Sequence, residues 1–405
     1  MASLPGLVRR PGPPGTASRQ WDLVIVGAGP AGAAAALGAL TACPGLRVLL
    51  LDRADFPRDK ACGDGIAPQV LDVLETVGVT GLLDDWAEVH DLELRQGSTT
   101  VARPMPRPAW VVPRSVFDHR LVSAATRAGA ELRRHRVRSV EAEDEGVVLD
   151  GDIRAQVVIG ADGAHSVLRA ATGLSPARRQ ALALRGYAPT PEARAGRQVI
   201  VFGASRQPSY AWSFDRGDGL SNVGYGELVR SGRTATRQEM LVELDRLLPG
   251  SVDGGTAWRG HHLPLSSWTY RQPDGPLLLA GDAACLVNPM TGEGIYYAVA
   301  TGVLAGRAAV SAIAAGSGRG AGATQRAAVR ALLGRHLEHT SVLSRLVSVP
   351  AVVAAGVRAA ARDQRVFDDL VEIGLGRGLV TPRVVSGLVA EGLTGATRRQ
   401  RRLMP

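Results

Sequence analysis

The stretch that most constrains this chain runs from Trp21 to Asp52. "WDLVIV" is a short apolar run and reads as a buried parallel strand. "GAGPAG" follows, with Gly27, Gly29 and Gly32 in GxGxxG register, and an Ala-rich helical run continues to about Thr41. After Pro44-Gly45, "LRVLLLD" reads as a second strand ending on Asp52, twenty residues beyond Gly32. Strand, glycine turn, helix, strand and acid in this order form a dinucleotide-binding unit. Gly27 permits the tight turn, Gly29 lets the backbone approach a pyrophosphate, and Gly32 lets helix and strand pack closely. The helix N-terminus stabilises phosphate charge. Asp52 is placed to accept a hydrogen bond from a ribose hydroxyl. The fingerprint alone does not separate NAD from FAD.

Two later motifs do. "DGPLLLAGDAA", residues 274–284, is an apolar strand that closes on Gly281-Asp282 and runs into "CLVNPMTGEGIYYAVATG". Midway, "VVIGADGAHSVLR", residues 157–169, is a strand ending in Asp162-Gly163, with Ser166 and Arg169 following. In this reading Asp282 meets a ribitol hydroxyl, and Gly292 and Gly294 let a helix N-terminus approach an isoalloxazine. The three motifs, in this order, resemble those of flavoproteins with the para-hydroxybenzoate hydroxylase fold, over roughly residues 20–320. The resemblance implies an α/β protein: a Rossmann-type FAD-binding domain, an antiparallel β-sheet substrate domain and a C-terminal helical region. It implies FAD contacts from Gly27, Gly29, Pro30, Ala31, Gly32, Asp52, Arg53, Gly63, Arg114, Asp162, Gly281, Asp282, Pro289, Gly292, Gly294 and Ile295.

Local segments choose a branch of that fold, which hosts several chemistries. "FPRDKACGDGIAP" resembles the Lys-x-Cys-Gly-Gly/Asp-Gly segment of the geranylgeranyl reductase family. "VPRSVFDHRLV", residues 112–122, resembles that family's Arg-x-x-Phe-Asp segment, and "YAWSFDRGDGLSNVGYG", residues 210–226, its Tyr-x-Trp-x-Phe-Pro stretch. "NPMTGEGI", residues 288–295, is close to Asn-Pro-x-Thr-Gly-Glu-Gly-Ile. The resemblance is nearest to the bacterial enzymes that reduce the prenyl tail of menaquinone. It implies reduction of isoprenoid carbon–carbon double bonds, with Tyr210 and Trp212 as substrate contacts and an apolar isoprenoid or polycyclic substrate. Asp215 stands where the family has proline, a departure expected to lie near the substrate. That departure keeps an FAD-dependent monooxygenase of natural-product biosynthesis as the alternative. Flavin halogenases carry a Trp-x-Trp-x-Ile-Pro motif and a catalytic lysine, and Lys60, the chain's single lysine, lies in no such motif. For Cys62 three readings stand: a redox-active thiol, for which neither Cys43 nor Cys285 offers a dithiol spacing; a structural cysteine between glycines; or a catalytic thiol beside the substrate alkene. An ordinary thiol pKa of about 8.5 keeps it protonated at neutral pH, as a proton donor requires. With no second glycine fingerprint, the electron donor is NADPH binding transiently, or ferredoxin or another donor protein.

Composition narrows the rest. The net charge is +9, yet the 46 arginines are interleaved with acids along the chain, which argues against nucleic-acid binding. Cys43, Cys62 and Cys285 are far apart and form no CxxC pair, so neither a disulfide framework nor a metal site is expected, and a reducing cytoplasm fits. Residues 1–20 read as a disordered extension. Residues 20–88, 114–183 and 275–320 are assigned to the FAD domain, 89–113 and 184–274 to the substrate domain, and 321–405 to C-terminal helices. The apolar stretch Gly294–Gly316 is long enough for a membrane span but carries Arg307, and a buried helix is expected. Most tryptophans and tyrosines, Trp110, Tyr187, Trp258, Trp268 and Tyr270 among them, fall in or beside the substrate domain, which suits an apolar tunnel as well as ordinary sheet packing. "RRQRR", residues 398–402, is a frayed terminus or a peripheral contact with the inner face of the membrane.

Overall fold

The protein is described by a computed structural model covering residues 21–143, 146–203, 208–230 and 233–402, with the side chains of 393–402 excepted. The expected 1–20 extension and the arginine side chains at 398–402 lie outside the described residues.

The apolar run Trp21–Val26 is the middle of a mostly parallel sheet of seven strands among the described residues. Val48–Asp52 pairs with it on one side and Ile153–Gly160 on the other, both parallel. Glu131–Arg134 extends the first flank, and Leu277–Leu279 lies parallel beside Ile153–Gly160. An antiparallel extension, Gly146–Leu149 and Val140–Glu143, completes it. Continuous apolar strands such as Val48–Asp52 are buried on both faces, as a helix-covered sheet demands.

Two helices fix the geometry of the first face. Pro30–Ala42 starts with proline at its first turn and is almost wholly alanine, glycine and leucine. Ile295–Ala314 packs against it at backbone contact. A Cβ on Gly302 would lie 2.2 Å from the Ala31 carbonyl oxygen, and one on Gly306 2.1 Å from that of Ala35. Ile295–Ala314 is long and apolar enough to cross a membrane, but 67% of its apolar window is buried inside the protein. Arg307 points outward and donates to the Thr76 carbonyl and hydroxyl. The stretch is therefore a core helix, as its alanine and glycine content implied.

The second sheet has eight strands among the described residues, ordered Thr256–Pro264, Gln180–Pro189, Leu220–Leu228, Ser209–Asp215, Arg197–Phe202, Glu88–Gln96, Thr99–Val111 and Gly65–Ile66. Its later chain segment starts at Gln180, ahead of the boundary placed at 184, and the strand at its far edge comes from the segment just after Cys62. One neighbouring pair, Arg197–Phe202 with Glu88–Gln96, is parallel. The chain leaves this sheet after Val111 to build half of the first one, and returns in the same direction.

Four helices follow: Ala321–Leu346, Pro350–Arg362, Gln364–Leu375 and Pro382–Arg402. The middle two cover the strands 88–111. Val357, Ala360, Phe367 and Val371 form one buried cluster with Leu92, Val101, Met105 and Ala109. The C-terminal region is thus a wall laid on the second sheet.

Gly306→Val should destabilise the protein by about 1–3 kcal/mol or more, because the contact it strikes is backbone and cannot yield. Urea denaturation measures this, and an unchanged midpoint would contradict the helix contact.

Candidate functional site

The glycine turn is built as its spacing requires. Gly27 has φ +98°, and a Cβ there would fall 2.3 Å from the Ala161 carbonyl oxygen. A Cβ on Gly32 would fall 1.8 Å from the Gly27 oxygen, so this glycine serves packing rather than the cavity. Gly29 is different: its nearest neighbours would be the guanidinium groups of Arg58 at 3.4 Å and Arg114 at 4.0 Å. No side chain caps the helix that starts at Pro30. The space before that helix therefore meets free backbone N–H groups and two guanidinium ions, a site for a diphosphate. Arg114 is buried and held to Asp118 by two bonds of 2.6 and 2.8 Å. Arg58 shares Asp118 at 3.0 Å and reaches Asp52 at 3.4 Å. Asp52 accepts from the N–H groups of Ala28 and Ala54, both at 2.9 Å, which ties the glycine turn to the second strand. A carboxylate has about four acceptor positions, so a ribose hydroxyl can still be accommodated.

These groups open into one cavity of about 1030 Å³, at the upper end of the usual range for ligand sites. Gly27, Gly29, Pro30, Ala31, Asp52, Arg53, Cys62, Gly63, Arg114, Asp162, Asp282, Pro289, Gly292, Gly294 and Ile295 all line it. Gly281 does not; at φ +58° it lies against Ala31 and Ala298, where the two core helices meet. Asp162 accepts from the Val167 N–H at 2.8 Å through one oxygen, while its other oxygen, Oδ1, is buried with no partner. An orphaned acceptor beside a bare glycine turn, two guanidinium groups and the Gly292–Gly294 loop fits FAD. Asp282 is paired with Lys60 at 3.2 Å. Burial works against its charge, but the Lys60 ammonium leads the groups that outweigh burial and hold the carboxyl below its ordinary range.

The segment 59–65 forms the cavity's midpoint and is clamped by the second sheet. Arg185, 1% exposed, donates to Asp59 and to the Lys60 carbonyl. Asn222 donates to the Cys62 carbonyl and to Asp64, both at 2.8 Å, and accepts from the Trp212 indole at 2.8 Å. Tyr187 donates to Asp64 at 2.5 Å. Burial still pushes the Asp64 carboxyl up to about 6 despite these donors.

Tyr210, Trp212 and Phe214 alternate along one strand and share the cavity face, as a period of two requires. Tyr210 donates to the Thr291 carbonyl, and Trp212 lies over Gly224, where a Cβ would be 2.2 Å from the ring. Asp215 points the other way. It accepts from the N–H groups of Gly196 at 2.6 Å and Gly217 at 3.0 Å and does not line the cavity. The expectation that this departure from the family pattern lies near the substrate is therefore corrected: Asp215 is a turn-binding residue. Trp110, Tyr187, Trp258, Trp268 and Tyr270 also stay off the cavity wall. Trp258 packs on Gly186 and Gly255, and Trp268 is 54% exposed.

Several residues that line the cavity were assigned no role from the sequence. Glu293, inside the Gly-Glu-Gly loop, lines the cavity, and burial pushes its carboxyl up to about 7 although the Tyr296 N–H donates to it at 2.9 Å. His261 lines it too, with Nε2 unpartnered, and burial, then Lys60, push it down to about 4, so it is neutral. The far end is aliphatic and comes from the C-terminal helices: Val347, Val353, Val357, Leu370, Leu375, Val384 and Leu388. Lys60 carried a signal in being unique. The aliphatic wall carried none, since amphipathic helices do not state what they dock on.

Asp282→Ala should weaken FAD retention by about 1.5–3 kcal/mol, the worth of a hydrogen bond to a charged group. An unchanged flavin-to-protein ratio and affinity would contradict its role. Glu293 generates a pH dependence. Its folded pKa of about 7 lies above the ordinary 4.5, so its contribution to stability is complete below pH 4.5 and lost as pH rises through 7. Relative to the parent, Glu293→Gln should gain about 1–3 kcal/mol across that window in flavin-free protein. Parallel stability–pH curves for the two proteins would contradict the burial of this carboxyl.

Comparison with known proteins agrees with this site. Residues 20–321 match the FAD binding domain family. The chain is 35% identical over 310 residues to the menaquinone reductase of Mycolicibacterium smegmatis, covering 70% of this chain and 75% of that protein. It is 35% identical over 321 residues to digeranylgeranylglycerophospholipid reductase 1 of Methanopyrus kandleri, covering 73% and 81%. The geranylgeranyl bacteriochlorophyll reductase-like structure from Thermoplasma acidophilum has the same fold, with TM-score 0.77 at 20% identity over 95% of this chain and 99% of that one. This chain belongs to the geranylgeranyl reductase family of FAD-dependent oxidoreductases.

Proposed function

We propose that this protein reduces carbon–carbon double bonds of an isoprenoid chain carried by a quinone or lipid. The observation that supports it most is the cavity's lining: charged groups and bare glycines around the glycine turn, and aliphatic side chains where the C-terminal helices wall it. Such a space takes a flavin and a hydrocarbon chain together, and the relatives named for menaquinone and for digeranylgeranylglycerophospholipid act on molecules with chains of this kind.

FAD, when bound and reduced, supplies the hydride for one alkene carbon. The protein's part is to hold the alkene, exclude water and deliver a proton to the second carbon. An isolated alkene has no polar handle, so its placement rests on shape and on burial. Trp212 and Phe214 shape the wall opposite Gly63, at 3.7 and 3.5 Å from where its Cβ would be. Cys62 is the proton donor in this reading. Burial raises its thiol pKa against the pull of Arg114, which keeps Sγ protonated at neutral pH. Glu293 lines the same cavity and is the group assigned here to return the proton. Electrons come from NADPH binding transiently or from a donor protein such as ferredoxin.

The monooxygenase alternative rested on Asp215, and that residue faces away from the cavity. Paired single turnovers, one anaerobic and one under labelled dioxygen, separate the two readings. Reduced protein mixed with a prenyl substrate should yield a product richer by two hydrogens, whereas oxygen from labelled dioxygen in the product would overturn the reductase reading.

Cys62→Ser should keep FAD and substrate affinity while slowing flavin reoxidation by substrate about 10²-fold or more, the range for a lost proton donor. A rate within a factor of about three of the parent would return Cys62 to a structural role.

A further inference from the structure

We propose that the corner between the helices Ala321–Leu346 and Pro350–Arg362 docks on an anionic lipid bilayer, so that a chain held in the bilayer reaches the cavity directly. The inference rests on the isoprenoid reading above for its purpose, and on the following surface for its substance.

Residues 346–351 read Leu-Val-Ser-Val-Pro-Ala and carry no charge. Leu346 is 47% exposed and Val349 49%, and Val342, one turn earlier, is 51% exposed. Their neighbours turn inward: Leu343, Val347, Val352 and Val353 line the aliphatic end of the cavity. One short corner thus presents apolar side chains to the outside and to the hydrocarbon site at once. A solvated helix corner ordinarily carries polar residues, and exposed Leu and Val here gain by entering a bilayer interface.

The rim of the corner matches anionic headgroups. Trp268 is 54% exposed, and the Arg345 guanidinium stacks over its ring at 4.8 Å. Tryptophan and arginine are the side chains that settle at the headgroup level. Trp268 shares a surface pocket with Arg271, Arg330 and Arg335, against one acid, Glu338. These three arginines and Arg345 are exposed and form no ion pair among the described residues. An apolar tip with the Arg345–Trp268 pair beside it, and further free arginines along the helix Ala321–Leu346, suits an anionic membrane. A second copy of the chain would bring like charges together across a two-fold interface, which disfavours self-association.

The test uses the FAD-loaded protein and vesicle flotation. The probes are phosphatidylcholine vesicles with and without about one-third phosphatidylglycerol. The protein should float with the anionic vesicles, and less so as salt rises from about 0.1 to about 1 M, which shortens the Debye length from about 10 to about 3 Å. Leu346→Glu with Val349→Glu, at exposed positions off the cavity, should weaken binding roughly tenfold or more. FAD content and turnover of a short, detergent-solubilised prenyl substrate should stay at the parent level. Parent protein that floats with neither vesicle, or a double variant that floats as well as the parent, overturns the proposal. So does light scattering that shows a parent dimer split by the double variant, which would make the corner a self-interface. Failure to float with prenyl reduction intact sinks the docking surface alone; flotation without any reduction sinks the isoprenoid reading alone.

Discussion

The amide of Asn222 joins the two halves of this protein. It donates at once to the Cys62 carbonyl and to the Asp64 carboxylate, and its oxygen takes the Trp212 indole N–H. The segment it holds follows the second strand of the nucleotide-binding unit; the strand it stands on belongs to the other sheet. Without that bond, two buried acceptors on the segment would lose a donor, a cost of about 1–3 kcal/mol each. Arg185 and Tyr187 repeat the arrangement on either side, at Lys60 and at Asp64. The segment with the cysteine is thus fixed by the sheet that shapes the hydrocarbon site, so the reacting region keeps one geometry relative to both ligands.

Charge is arranged along the cavity in the same spirit. Arg58 and Arg114 share Asp118 near the glycine turn, where a diphosphate needs cations. Lys60 and Asp282 pair further in. Two further carboxyls line the cavity: Glu227, on the second sheet, and Glu293, which burial pushes up to about 7. An ionised group beside a hydrocarbon chain would be costly to bury. A neutral thiol and a carboxyl that is half protonated near neutral pH avoid that cost and still carry protons.

The sequence made the cofactor end legible because its constraints are local. Gly27, Gly29 and Gly32 are demanded by a turn only a few residues long, and the acid after the second strand follows from strand length. The substrate face was half legible. Tyr210 and Trp212 were named from a motif, and the two-residue period of a strand carries the same information: Tyr210, Trp212 and Phe214 share a face and Asp215 cannot. Reading Asp215 as near the substrate ignored that alternation. The aliphatic wall was not legible. Val353, Leu370 and Leu388 lie on amphipathic helices, whose pattern fixes a buried face but not its partner. Nor could the clamp be read, since Asn222 and Cys62 are separated by much of the chain and meet only through the second sheet.

In the proposed reading, flavin and hydrocarbon chain occupy one continuous cavity that turns at Cys62. A crystal structure of the FAD-loaded protein with a prenyl ligand tests it most directly. An alkene carbon should lie beside Cys62 Sγ and the distal chain among Val353, Leu370 and Leu375. A chain lying elsewhere, or one reaching the flavin without passing Cys62, would contradict it.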